Sequence, residues 1–354
     1  MKKKARIKNI CTVFPITERG YALALTLKKL GGEVNIYEPA ELRRGRLRGL
    51  VKEAFLSSTS LVFIGASGIA VRSIAQLLKG KALDPAVIVI DEMGRFVISL
   101  VSGHLGGANR LTEEIAELLK ATPVITTATD VHGLPCIEDV ALRFNLAIEN
   151  VSAIKALNTA ILGGGPVFIM DNNRKRLSAI REFLNKETSG VFAFGTALPK
   201  GCKTAAIISS TLKVSAPKGL ESPPLILRPR EFVAGIGCRR GTSARDIKKS
   251  VDNAFKGRGV SPLCIRNLAT IDIKGNEVGL LEFAKSRGHG LELFTAEELN
   301  ERAGKGSEFV LAATGARAVA EPAALISSGA KRLWLKKQKS ARVTVAAARV
   351  SFTS

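Results

Sequence analysis

A chain of 354 residues exceeds the roughly 250–300 residues that one core supports, so two or three domains are expected. Hydrophobic residues make up 46% of it, yet no run approaches the roughly 20 apolar residues that span a bilayer; a membrane helix is excluded and a cytoplasmic protein expected. The balance of 53 Lys and Arg against 31 Asp and Glu, a net +22, suits nucleic acid, an anionic membrane surface, a substrate with several carboxylates, or an ordinary solvated surface. Aromatics at 5%, with one Trp and two Tyr, leave few platforms for base stacking and count against nucleic acid. The five cysteines (Cys11, Cys136, Cys202, Cys238, Cys264) are widely spaced with no C-x-x-C, which argues against a disulfide framework or a structural zinc site and fits a reducing compartment.

Residues 1–130 read as an N-terminal α/β domain. A basic start, Met1-Lys-Lys-Lys-Ala-Arg6, leads into a strand interrupted at Pro15 rather than into a signal peptide. Apolar runs at 10–14, 34–37, 61–64, 86–90, 96–100 and 124–126 enclose helical patterns such as 21–30 and 69–78. That cadence predicts a Rossmann-like, mostly parallel sheet covered on both faces. Residues 91–95 are too few for a crossover and predict a hairpin turn with Gly94 supplying the unusual dihedral.

A small α/β middle region, 131–229, carries a helical pattern at 151–162 ended by Gly163-Gly-Gly-Pro166 and a strand at 167–170. Pro217, Pro223, Pro224 and Pro229 mark a linker or irregular edge. Residues 230–354 read as a separate α/β domain. It opens with a strand at 232–236 and a helix near Thr242, continues through a capping box at Thr295-Ala-Glu-Glu298, and closes with strands at 333–335 and 343–346. Basic residues cluster at 2–8, 43–48 and 174–176, and no acid follows Glu321.

Three strand-to-helix junctions carry chemistry. Gly65-Ala-Ser-Gly-Ile-Ala70 opens a helix bearing Arg72 where α/β sheets bind ligands, with Ser67 and Gly68 placed to meet an anion. It is neither a G-x-G-x-x-G fingerprint nor a nucleophile elbow, since Ser67 and Ile69 stand where glycines would be. The segment Ile98-Ser-Leu-Val-Ser-Gly-His-Leu-Gly-Gly-Ala-Asn109 is the richest. Gly103, Gly106 and Gly107 allow close backbone approach, and Ser99, Ser102, His104 and Asn109 bring hydroxyls, an imidazole and an amide. Among His104, His132 and His289, His104 is the best candidate for a general base, with Asp91 at the end of the preceding strand as a possible partner. In Gly235-Ile-Gly-Cys-Arg-Arg-Gly241, Arg239 and Arg240 suit bidentate carboxylate recognition, and Cys238 is a small packed residue or a nucleophile.

Together with Lys81-Ala-Leu-Asp-Pro-Ala-Val87, Asp272-Ile-Lys-Gly-Asn-Glu277 and Val319-Ala-Glu-Pro-Ala-Ala324, these segments resemble, in the same order, the cobalt-precorrin-5A hydrolases, the CbiG family. The likeness covers about residues 60–350 and is loose in the first 50 residues and the middle region. It implies an enzyme of anaerobic cobalamin biosynthesis that opens a δ-lactone on a cobalt-containing tetrapyrrole and releases acetaldehyde. It also implies that the C-terminal part is similar to CobE, a separate small protein of cobalamin pathways. On that reading the cobalt is carried by the substrate, the protein needs no cofactor or metal ligands, and other pathway enzymes are potential partners. His104 is then the base, Ser102 or Ser99 its hydroxyl partner, and Asp91 a supporting carboxylate. Glycine-loop amides with Asn109 serve as oxyanion donors, and Arg72, Arg239 and Arg240 clamp carboxylates. The alternative is a non-catalytic tetrapyrrole-binding or channelling protein; a polyanion-binding module is a further rival.

Overall fold

The structure, a computed structural model, describes residues 4–5, 10–43, 45–80, 83–187, 190–304 and 308–352. Lys2, Lys3, Arg6, Lys8, Arg44, Lys81 and Ala82, which belong to the basic clusters and motifs above, lie outside the described residues. The chain is mixed α/β with three sheets. It forms two compact units, one of residues 8–142 and one of 143–354 with 1–7. Boundaries at 130 and 229 were expected from the cadence of strand and helix patterns and from the prolines at 217–229. The helix Ile137–Arg143 lies at the junction of the two compact units.

In the first unit the strand order is Glu33–Ile36, Ile10–Pro15, Ser60–Ile64, Ala86–Ile90, Phe96–Val101, Thr122–Val124. The first four are parallel; Phe96–Val101 runs antiparallel to Ala86–Ile90, and Thr122–Val124 is parallel to Phe96–Val101. The hairpin expected at 91–95 is therefore present. Its consequence is that the last two strands end at the opposite edge of the sheet from the first four.

Alternation of side chains across the pleat fills both faces. Val62, Ile64, Ile88 and Ile90 point to one core, covered by Glu18–Thr26 and Ala108–Leu119; Leu61, Phe63, Val87 and Val89 point to the other, covered by Leu47–Ser57 and Ser67–Ile74. Phe14 stacks on Phe63 and Tyr37 at 5.1 and 5.2 Å. Complete burial of such a ring contributes about 1.5–3 kcal/mol.

In the second unit a five-stranded sheet is ordered Phe192–Phe194, Val167–Asp171, Thr204–Ile208, Leu225–Pro229, Leu146–Ile148, with only Leu146–Ile148 antiparallel. A six-stranded sheet runs Lys4–Ala5, Gly290–Phe294, Ile265–Ile271, Phe232–Cys238, Val343–Arg349, Leu335–Lys339, with its second, third and fourth strands mutually parallel and the other pairings antiparallel. Residues 4–5 thus pair with a strand nearly 290 positions later, which no local pattern signals. The capping box at Thr295 and Glu298 is formed as expected.

His289 is buried in this unit, its ring edge-on to Phe283 and its Nδ1 without a hydrogen-bond partner among the described residues. Burial, aided by Arg230 and Arg287, pushes its pKa down to about 4. The unfolded chain, with a pKa near 6.5, binds the proton more readily. Stability is unaffected above about pH 6.5 and falls as pH drops towards 4, by which point the loss is about 3 kcal/mol. Urea unfolding at pH 7 and pH 4 should show that loss shrink in His289→Phe; an unchanged pH dependence would exclude His289 as its source.

Candidate active site

The sheet of residues 8–142 presents two edges, and the expected site residues divide between them. At the carboxyl edge of the four parallel strands, chain order reverses between Ile10–Pro15 and Ser60–Ile64, the position where open α/β sheets form a crevice. Gly65 has φ +149°, and a Cβ there would lie 2.9 Å from Ile16 Cγ1, so the close approach of the two loops requires glycine. Ser67 and Arg72 are exposed, and the Arg72 guanidinium folds back over Gly68.

Asp91 stands at this same edge. Its carboxylate accepts hydrogen bonds from the amides of Met93, Arg95 and Phe96 at 3.2, 2.7 and 2.6 Å. Burial raises its pKa, but those amides and Arg95 outweigh burial and hold it below the usual carboxylate range. Because Phe96–Val101 runs back across the sheet, Asp91 lies before that strand and His104 beyond its far end, about 20 Å of strand away. Asp91 is therefore a turn-forming residue and not a partner of His104. The Gly65 to Arg72 segment likewise does not share an edge with His104.

At the opposite edge, Ser102 adopts φ +63° and is buried. A Cβ at Gly106 would come within 2.3 Å of Ser102 Cβ, and one at Gly103 within 2.6 Å of Asn109 Oδ1. These two glycines exist to let side chains pass, and Gly106→Ala should displace the loop and cost activity together with stability. A crystal structure or thermal melt of that variant indistinguishable from wild type would contradict this packing role.

Asn109 is fully engaged. Its Oδ1 accepts from Ser99 Oγ at 2.6 Å, and its Nδ2 donates to Thr127 Oγ1 and Asp130 Oδ2, both at 3.2 Å. Its amide is thus committed to holding the 127–130 segment rather than free for an oxyanion. Ser102 Oγ, packed beneath Gly106, makes no hydrogen bond among the described residues, and neither serine contacts His104 as a hydroxyl partner would.

His104 instead meets residues that the sequence reading did not single out. Its Nε2 lies 3.1 Å from Thr129 Oγ1 and 3.3 Å from Asp130 Oδ2, and its Nδ1 lies 3.8 Å from Asp139 Oδ1. Cys136 Sγ donates to Asp139 Oδ2 at 3.0 Å. The His104 side chain is 11% exposed, whereas Asp139 is 43% exposed and opens the cluster to solvent. Burial alone would pull the His104 pKa down, but contact with Asp139 and the charges of Asp130, Asp139 and Glu138 hold it above the ordinary histidine value. Burial raises the Asp139 pKa, and His104 and Cys136 reverse this to a net lowering. The Cys136 thiol is pushed up by burial and by the neighbouring acids Glu138 and Asp139. Ligand atoms of His104, Cys136 and Asp139 all lie within 4.8 Å of one another and could together hold a metal ion. No short ligand spacing in the sequence signals this set, because His104 and the Cys136–Asp139 pair come from separate segments of the chain.

In the second unit, Cys238, Arg239 and Arg240 leave the strand Phe232–Cys238 into a cavity of about 530 Å³. Lys274, Arg317, Lys337 and Arg342 add positive charge to its wall. Glu277 accepts from the Gly241 amide at 2.6 Å and from Lys274 Nζ at 3.0 Å, which fixes the arginine-bearing turn. Burial raises the Cys238 thiol pKa, which disfavours the thiolate that a nucleophile needs.

A family model described as cobalamin synthesis G N-terminal matches residues 49–130, and one described as cobalamin synthesis G C-terminus matches residues 232–348. A Priestia megaterium protein named cobalt-precorrin-5A hydrolase is 31% identical over 354 residues, covering 96% of this chain and 95% of its own. The chain belongs to the cobalamin synthesis G family. A Salmonella typhimurium protein of the same name is 34% identical, covering 90% of this chain and 92% of its own. A Sinorhizobium protein named CobE is 32% identical over 136 residues, 37% of this chain and 88% of its own. The N-terminal match of this cobalamin synthesis G protein ends at residue 130, so it includes His104 and Asp130 but stops short of Cys136 and Asp139. The available sequence signal for those two was two acids, Asp130 and Asp139, flanking a buried-type cysteine in an otherwise basic chain. No helix among the described residues is long and apolar enough to cross a membrane.

Proposed function

We propose that this chain is a cobalt-precorrin-5A hydrolase that opens the δ-lactone of a cobalt-containing tetrapyrrole and releases a two-carbon fragment as acetaldehyde. The observation that carries the reading is likeness over nine-tenths of the chain to two proteins of that name, at 31% and 34% identity. Lactone opening needs a water made nucleophilic beside the reacting carbonyl. His104, flanked at one ring nitrogen by Asp130 and at the other by Asp139, is the water-activating centre. Asn109 and Ser99 act as positioning residues that hold Asp130 in place. The cobalt enters as part of the substrate, and five free cysteines suit a reducing cytoplasm.

The basic cavity with Arg239 and Arg240 is the part suited to carboxylates of the macrocycle. Removing either guanidinium should weaken binding of an octacarboxylate porphyrin on the order of tenfold. Fluorescence titration at two salt concentrations measures this, and wild-type affinity in both Arg239→Ala and Arg240→Ala would exclude the cavity.

Anaerobic incubation of the purified chain with cobalt-precorrin-5A and trapping of the volatile product tests the activity. One equivalent of acetaldehyde per lactone consumed is expected. Tight binding with the lactone intact would instead make the chain a carrier of the same intermediate.

A further inference from the structure

We propose that His104, Cys136 and Asp139 form a seat for one divalent cation of the zinc class. Each offers one donor atom, and the three lie within 4.8 Å of one another. An ion at about 2.0–2.3 Å from nitrogen, sulfur and oxygen fits such a triangle after small side-chain adjustments. Imidazole, thiolate and carboxylate together select a borderline-soft ion, whereas magnesium and calcium take oxygen ligands alone.

The surroundings of His104 supply an independent observation. A metal-bound histidine characteristically donates its other ring N–H to a carboxylate. Here Nε2 lies 3.3 Å from Asp130 Oδ2, and Asp130 is held by Asn109, which is held in turn by Ser99. With the proton on Nε2, the lone pair of Nδ1 faces the Asp139 carboxylate at 3.8 Å, and Cys136 Sγ lies on the same carboxylate at 3.0 Å.

Cys136 is fully buried while Asp139 is open to solvent, so the ion has a rigid floor and an entry path. Three protein ligands leave a fourth position for water, the pattern of catalytic rather than structural zinc. The seat stands on this geometry alone; its use in activating the lactone-cleaving water rests on the hydrolase reading above.

The test is metal uptake by the full chain without substrate. After equilibration with Zn²⁺ and gel filtration, one equivalent should remain bound. Loading with Co²⁺ should give a thiolate-to-cobalt charge-transfer band. Cys136→Ser keeps the polar atom at the start of the helix Ile137–Arg143 and should abolish the band and weaken uptake at least tenfold. Asp139→Asn and His104→Gln should weaken it similarly, and Asp130→Asn by about 10–100-fold through the outer contact. Circular dichroism of each variant checks folding. Absence of stoichiometric uptake overturns the proposal, as does a band that persists in Cys136→Ser, which would place the metal on another thiol. Acetaldehyde release is scored separately: release without metal uptake removes the seat and leaves the hydrolase, and uptake without release does the reverse.

Discussion

His104→Gln should lower acetaldehyde release by about 10²–10⁴-fold, the range over which a positioned proton-transfer or water-activating group acts. Glutamine keeps a polar contact towards Thr129 and Asp130, so far-UV circular dichroism and the melting temperature should stay close to wild type. Asp130→Asn should give an intermediate loss, because it leaves the ring in place while removing the charge that Asn109 presents to it. Asp91→Asn is the informative comparison. It sits at the other edge of the same sheet, where its carboxylate holds three backbone amides. Its replacement should cost about 1–3 kcal/mol of stability and little turnover. Equal loss of turnover in Asp91→Asn and His104→Gln would mean that the two edges do not divide as assigned.

That comparison also marks what a sequence can disclose here. The alternation of apolar runs and helical patterns and the hairpin around Gly94 were legible from local chemistry, because each depends on residues close together in the chain. The segment that His104 meets beyond the hairpin was not. The hairpin makes Phe96–Val101 antiparallel, and this single reversal carries His104 away from Asp91 and from Ser67 and Arg72. It delivers His104 instead to the segment that follows Thr122–Val124, where Asp130, Cys136 and Asp139 wait. Asp130, Cys136 and Asp139 all fall within the compact unit of residues 8–142 that also holds His104. Asn109 shows the same limit at the level of one side chain. Its residue type fits an oxyanion donor, yet its hydrogen bonds to Thr127 and Asp130 could be known only from the fold.

Gly235→Ala should destabilise the chain by at least about 3 kcal/mol, at or beyond the upper end of ordinary overpacking. A Cβ at Gly235 would fall 1.9 Å from the Ala320 carbonyl oxygen, 2.8 Å from its carbon and 3.0 Å from Ala324 N. All three are backbone atoms of the helix Ala320–Ser328, so no rotamer change relieves the contact and the helix must lift from the sheet. Lifting it opens the core in which Ala323 packs near Val233 and Ala269. Gly237 is the control: two residues on, its side of the strand is the same, but an added Cβ meets only Thr344 Cβ at 3.8 Å and Val319 Cβ at 4.0 Å. Gly237→Ala should therefore change stability by less than about 1 kcal/mol. Val319, Ala320 and Glu321 also wall the cavity that holds Arg239 and Arg240. Gly235→Ala should consequently weaken porphyrin binding as well as stability, although Gly235 does not line the cavity itself. Urea unfolding and porphyrin titration of the two variants decide the matter, and equal effects at both positions would mean that the helix-to-strand contact is not what makes Gly235 necessary.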